Sequence, residues 1–303
     1  MYGQYSVRYF CALFGKSRQA WYDQTDRQAE QQLSETLILK FVAELRKELP
    51  RLGTAKLQHL LNVQLEAHQI RIGRDQLYEL LGHHGLLLRY RRRRVYTTDS
   101  NHPYRKYPNL IRDLMLSKAN KLWVSDITYI RLNHGFCYLS IVTDAYSRKI
   151  VGYCLHPTLS SQGAINALTM AIKQSKGRES LIHHSDRGIQ YCCSDYVRLL
   201  EHYQIRISMT ENGDPYENAI AERVNGILKN EFDLYRSFSS FVEALQAVDQ
   251  AIQKYNHIRP HSSCDYLTPV IAHEQSGWLR KRWKSQNKDV DMLITPPDQP
   301  TKS

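Results

Sequence analysis

Three acidic residues in this sequence, Asp126, Asp186 and Glu222, have the chemistry to hold a hard divalent cation. Asp126 interrupts the apolar and hydroxyl-bearing run from Leu122 to Ile130. A carboxylate in such a run is costly to bury unless a partner or an ion offsets its charge. Asp186 comes just after the short stretch Ser180–His184, where a strand would end. Glu222 falls one to two turns into a helical stretch, where Asn218, Asn225 and Lys229 share its face at spacings of three or four. Fifty-nine residues separate the two aspartates, and 35 separate Asp186 from Glu222. Phosphoryl transfer on a nucleic acid commonly uses two cations roughly 3.5–4 Å apart, and magnesium takes oxygen ligands. Converging carboxylates are what that chemistry needs. Taken singly, each residue also has an ordinary reading, as a first-turn helix acid or a solvated lysine.

The surrounding elements decide whether these residues can meet. Leu122 to Ile130, Phe136–Asp144 and Lys149–Leu155 read as strands joined by Asn133-His134-Gly135 and Tyr146-Ser147-Arg148. Connections that short make the three strands antiparallel. A helix over Ser161–Lys173, the strand Ser180–His184, a helix over Asp195–Tyr203 and the strand Ile205–Met209 follow. After the loop Glu211–Tyr216, helices are predicted over Glu217–Leu234 and Ser240–Asn256. That order predicts an α/β, ribonuclease H-like domain with a mixed five-stranded sheet.

The residues ahead of it read as all-α. Helices are predicted over Ser6–Phe14, from Ser17 through Tyr22, over Asp26–Lys47, over Thr54–Leu65 and over Arg74–Leu81. Two of the junctions have the outline of a helix-turn-helix, so this region is read as DNA-binding; the plainer alternative is a helical bundle with no DNA contact. Arg89, Arg91, Arg92, Arg93 and Arg94 form a basic segment that suits either a solvated linker or a grip on phosphates. The organisation expected is a helical DNA-binding region over 1–98, a basic and polar linker over 99–121, a catalytic core over 122–276 and a polar tail over 277–303.

Charge placement agrees with that division. Residues 1–121 carry 21 Lys and Arg against 11 Asp and Glu, whereas the remainder carries 20 against 19. Nearly all of the +11 net charge is therefore N-terminal, which suits a phosphate-binding partner. The six cysteines form no C-x-x-C pair, so neither a zinc site nor a disulfide framework is expected. No run of about 18 apolar residues and no secretory h-region is present, which predicts a cytoplasmic, nucleoid-associated protein without membrane contact.

Several motifs together resemble one family. They are TrpValSerAspIleThrTyr at 123–129, HisSerAspArgGlyIleGlnTyr at 184–191, and the segment from Glu217 to Glu231 containing Glu222 and Lys229. TyrAsnHisIleArgProHis at 255–261 and Leu267-Thr268-Pro269 complete the set. The chain resembles insertion-sequence transposases of the DDE type, the integrase-like insertion-sequence-three family, and in particular the product of its second reading frame (OrfB). The resemblance implies that Asp126, Asp186 and Glu222 hold two Mg²⁺ or Mn²⁺ ions and catalyse DNA end cleavage followed by strand transfer. It implies that Lys229 and Arg187 position phosphates. His184, just before the second aspartate, and Asn218, on the face of Glu222, are read as supporting the ligands. The partners it implies are element-end and target DNA, further copies of the chain in a multimer, and the upstream-frame (OrfA) polypeptide.

The chain departs from the family pattern at Glu217, where Asp is usual, at Arg223, where a small residue is usual, and at Cys192-Cys193. None of these is in the triad. Asp144 and Asp214 are read as turn acids rather than ligands. The stretch from His257 to His261 is read as packing the last helix on the core, with Arg259 near DNA. Two rival functions stay open at this point. One is a non-catalytic helix-turn-helix regulator, which would have no use for three metal-binding acids. The other is a ribonuclease H-like nuclease that cuts without joining.

Overall fold

The computed structural model describes residues 6–88, 103–112, 114–175, 179–211 and 218–282. Contacts divide the chain into two compact units, Met1–Arg89 and Tyr90–Ser303. The first unit is helical: α1 (Val7–Leu13), α2 (Arg18–Glu48), α3 (Thr54–Leu65) and α4 (Arg74–His83). Ser6 and Ser17 cap the first two helices, their hydroxyls accepting from the Tyr9 and Ala20 amides. The break expected between Tyr22 and Asp26 is absent, because α2 runs unbroken for 31 residues. Asp and Thr in that stretch lower helix propensity only by tenths of a kcal/mol, and no Gly or Pro is there to stop the helix.

Six leucines of α3 and α4, Leu57, Leu61, Leu65, Leu77, Leu80 and Leu81, are buried. The turn between these helices is braced by side chains. Gln58 Nε2 donates to the Ile72 carbonyl at 3.0 Å, and Asn62 Oδ1 accepts from the Ile72 amide at 3.3 Å. This fixes the entry to α4, whose Arg74 and Tyr78 point to solvent. The helix, braced turn and helix have the outline expected of a helix-turn-helix.

The second unit is built on a sheet. Strands β1 (Leu122–Leu132), β2 (Gly135–Asp144) and β3 (Ile150–His156) are antiparallel neighbours. Strands β4 (Ile182–Ser185) and β5 (Arg206–Met209) extend the sheet in parallel with β1. The order is β3-β2-β1-β4-β5, with a sixth strand, β6 (Ser237–Phe238), on the far end of β1. Five strands were expected; β6 is two residues long, too short for alternation to reveal.

Helices cover both faces. Helices α5 (Ser161–Gln174), α6 (Ile189–Cys192) and α7 (Ser194–His202) pack with Trp123, Val142 and Val151 on one side. On the other, α8 (Ala219–Glu231) and α9 (Phe241–His257) pack with Ile130, Leu139 and Ile141. A short α10 (Pro269–His273) follows. Strand β3 and helix α5 touch so closely that Gly152 has no room for a side chain: a Cβ there would lie 2.1 Å from the Ala167 carbonyl oxygen.

The C-terminal motif is structural. Arg259 is 1% exposed, and its guanidinium donates to both Glu231 oxygens, at 2.7 and 2.8 Å. The expectation that Arg259 lies near DNA is therefore corrected. A bidentate pair to the last residue of α8 holds it inside the protein. All six cysteines are free, and four are buried. Among the described residues, no helix is long and apolar enough to cross a membrane.

The segment read as a linker is partly fastened to the sheet. The Met209 amide donates to the Pro108 carbonyl, the Leu110 amide donates to Ser208 Oγ at 2.9 Å, and the Asn109 amide donates to Glu211 at 3.1 Å. At the other end, residues read as tail also pack back: the Arg282 amide donates to the Ser262 carbonyl at 2.8 Å.

Candidate active site

Strand register brings the two aspartates level. Val124 pairs with His184 across β1 and β4, and His184 pairs with Ser208 across β4 and β5. Two residues farther along, on the same face by strand alternation, come Asp126 and Asp186. Neighbouring strands lie about 4.8 Å apart, so the two carboxylates share one locality. Both are half-buried.

Each aspartate is aimed by a neighbour. Asn225 of α8 donates Nδ2 to Asp126 Oδ2 at 2.7 Å, and the Ile127 amide donates to Oδ1 at 2.9 Å. The Gly188 amide donates to Asp186 Oδ1 at 3.0 Å, closing a tight turn. A Cβ at Gly188 would stand 2.9 Å from that same oxygen, so glycine is what lets the carboxylate fold back onto the backbone.

Glu222 enters from the first turn of α8 and is exposed. The three acids act on one another electrostatically. Burial first, and then repulsion by Asp186, push the Asp126 carboxyl up to about 7; Glu222 adds a weaker push, and the hydrogen bonds from Asn225 and Ile127 oppose it. Lys229, three turns along α8, is half-buried. Burial lowers its ammonium pKa while attraction to Asp126 opposes that shift. Asp126 thus faces Asp186, Asn225, Glu222 and Lys229 together.

The arrangement is not a closed cage. Among the described residues, no three histidine, cysteine or carboxylate side chains are drawn tightly enough together to form one. The aspartates are set by the sheet, while Glu222 stands at the rim. The unneutralised repulsion at Asp126 and the all-oxygen donor set both fit a hard divalent cation.

Other expected residues fall as follows. Asn218 is buried at the start of α8 and donates Nδ2 to the Ser125 carbonyl at 3.2 Å, tying the helix to the strand beside Asp126. His184 is fully buried on the face of Asp186, with Nδ1 2.8 Å from Ser208 Oγ. Arg187 follows Asp186 and is half-buried. Arg89, Arg91, Arg92, Arg93 and Arg94, with Asp214 and Glu217, lie outside the described residues. Asp144 is completely buried and accepts from the Asn120 amide, the Ser147 amide and the Ser147 hydroxyl, as a turn acid would.

Two features escaped the sequence reading. Asn225 was visible only as part of a polar stripe, yet it makes the shortest hydrogen bond to Asp126. On the opposite face of the sheet, His183 Nε2 lies 2.7 Å from Ser125 Oγ and 2.8 Å from Tyr196 OH. Burial drives the His183 pKa down to about 3, so it stays neutral. This buried network stiffens β1 and β4 directly behind the aspartates, and only the pairing of the strands reveals it.

Comparison with known proteins places the chain. Two models, each described as an integrase core domain, match residues 117–215 and 203–269. A protein of Shigella sonnei described as "Insertion element IS600 uncharacterized 31 kDa protein" is 34% identical over 270 residues, which is 88% of this chain and 97% of that one. "Transposase InsF for insertion sequence IS3A" of Escherichia coli is 29% identical over 272 residues, covering 88% and 93%. The chain belongs to the insertion-sequence-three transposase family. The first core model spans the segment that carries Asp126 and Asp186, and the second spans the segment that carries Glu222. Among solved structures, the HTLV-2 integrase catalytic core domain in complex with magnesium aligns with 52% of the chain and 98% of its own length, at 19% identity and a TM-score of 0.42.

Proposed function

We propose that the chain is a DNA transposase that cuts the end of its element and joins the freed 3′-OH to target DNA, with Asp126, Asp186 and Glu222 as its metal ligands. The observation that carries this reading is the convergence on Asp126. Strand register sets Asp186 level with it and the Asn225 amide holds it at 2.7 Å, within a chain that belongs to a transposase family. Two magnesium or manganese ions would supply Lewis acidity and neutralise charge at the scissile phosphate.

The chain's own residues prepare for them. Asn225 and the Ile127 amide fix one oxygen each of Asp126, leaving their remaining lone pairs directed at the site. The Gly188 amide does the same for Asp186. Glu222 is carried on a helix whose start is pinned to β1 by Asn218. Lys229, kept from full hydration, would contact a phosphate rather than a metal, and Arg187 would reach the same strand. His184 and Asn218 would hold the ligand-bearing backbone in place. The partners proposed are element-end and target DNA, other copies of the chain in a multimer, and the upstream-frame polypeptide; the place of action is the cytoplasm.

The test is an end-cleavage and joining assay on labelled element-end DNA with and without Mg²⁺, comparing wild type with Asp186→Asn. Metal-dependent joined product that vanishes in the variant supports the reading. Cleavage without joining would favour a nuclease, and binding without cleavage would favour a regulator.

A further inference from the structure

The segment 103–112 lies ahead of the residues matched by the first integrase core model, which begins at 117. It is nonetheless fastened to the sheet. Backbone and side-chain hydrogen bonds tie Pro108, Asn109 and Leu110 to the end of β5, and Tyr107 packs against the core cluster that contains Met209 and Cys192. Cys192 closes the short helix that begins two residues after Arg187, and its thiol lies 3.7 Å from the Met209 sulfur. The segment therefore runs beside the end of the sheet from which Asp186 projects.

Its charges are arranged unequally. Arg112 is engaged by Glu211 at 3.0 Å. Arg105 instead stacks its guanidinium over the Tyr107 ring, 5.0 Å from the centroid, and both Arg105 and Lys106 are exposed. The charges of Asp186, Lys106 and Arg187 all act on the Cys192 thiol, in keeping with the hydrogen bonds that fasten this segment to the same end of the sheet. Stacking on a ring that is itself packed on the core removes much of the freedom that Arg105 would otherwise lose on binding.

We infer that residues 103–112 form a cationic strap in which Arg105 and Lys106, beside Arg187, grip the phosphate backbone of the DNA strand entering the carboxylate site. This rests on the proposed reading of that site. Phosphates are the partner that fits. The strap presents two exposed cations, and it borders acids that would repel any polyanion not held by such charges. Arg105 and Lys106 are positioning residues in this account, contacting DNA away from the reacting phosphate.

The experiment uses the full chain carrying Arg105→Ala and Lys106→Ala together, with Lys106→Arg and Asp186→Asn beside it. Binding of a labelled duplex bearing the element's terminal sequence is followed by anisotropy across about 50 to 200 mM salt. The double variant should lose roughly one to two units of the slope of log K against log salt, and bind about tenfold more weakly. Its apparent KM should rise while kcat holds within about twofold, and its thermal midpoint should move by less than about 1 °C. Lys106→Arg should behave like wild type. An unchanged slope and affinity would overturn the strap, as would weakened binding that comes with a lowered thermal midpoint and no change in slope. If Asp186→Asn still cleaves, the carboxylate reading fails instead, and the salt slope still decides the strap.

Discussion

Replacing Asp126 with Asn should make the metal-free protein more stable above neutral pH. The folded state holds this carboxyl at about 7, against an ordinary value of 3.8, because it is partly desolvated and faces two other acids. A rise of about three pKa units corresponds to a ceiling of roughly 4 kcal/mol at 1.36 kcal/mol per unit. Solvent reaches the group, so about half of that, on the order of 2 kcal/mol, is the expected effect. Below about pH 4 the carboxyl is protonated in both folded and unfolded chains and costs nothing. As pH rises to about 7 the unfolded chain gives up its proton freely while the folded chain resists, so wild type loses stability relative to Asp126→Asn. Asn keeps the same shape, but its single oxygen can accept from only one of the two donors, so the Asn225 amide must turn its Oδ1 toward the new NH2 group for the gain to be realised in full. Thermal unfolding in EDTA from about pH 5 to pH 8 should show the Asn variant gaining about 4–8 °C on wild type at the upper end. Saturating Mg²⁺ should then narrow or reverse the gap, since an ion present at 100 times its Kd adds about 2.7 kcal/mol to the form that binds it. A gap that does not change with pH, or a wild type that is already the more stable protein in EDTA, would refute the argument that these acids are left in mutual repulsion.

Other outcomes follow from the same geometry. Glu222→Gln should abolish cleavage while leaving the thermal midpoint within about 1–2 °C of wild type, because the side chain is exposed, as unfolding and cleavage assays on one preparation would show. Gly188→Ala should depress kcat, since the new methyl group meets the Asp186 carboxylate at 2.9 Å; circular dichroism should show the fold retained. Gly152→Ala should lower stability by several kcal/mol in urea titration, because a backbone oxygen 2.1 Å away has nowhere to go. Arg259→Met should cost about 3–5 kcal/mol by taking the bidentate guanidinium from the buried Glu231 carboxylate, and adding Glu231→Leu should recover much of it.

Much of this was readable in the order of residues. The strand-like run from Leu122 to Ile130 and the short turns after it call for an antiparallel trio, and an acid placed inside an apolar run announces a site. The face shared by Glu222, Asn225 and Lys229 follows from helical spacing alone. What could not be read was long-range partnership. Arg259 looks like a DNA contact in sequence because an arginine in a His-rich motif usually meets solvent; its partner Glu231 is 28 residues away and becomes visible only when α8 and α9 are packed. Asn225 and His183 are ordinary polar residues until the packing of α8 puts one in front of the aspartates and strand register puts the other behind them. Residues 103–112 are polar and proline-bearing, which reads as a tether, yet their backbone groups find partners on β5 that no local pattern encodes. The 31 residues of α2 hid a different lesson: a cluster of weak helix formers lowers propensity without stopping a helix that no Gly or Pro interrupts.

The ion pair between Glu231 and Arg259 also dictates where the second unit can be divided. A fragment ending before residue 259 would keep the helix that carries Glu222 but strip the buried carboxylate at its end of its bidentate arginine. Such a fragment should be insoluble or molten however complete its three acids look on paper. The smallest soluble piece should instead begin before the strap at 103 and run past Arg282, whose amide still bonds the Ser262 carbonyl. A map of active fragments would then be drawn by a charge pair well outside the acidic triad.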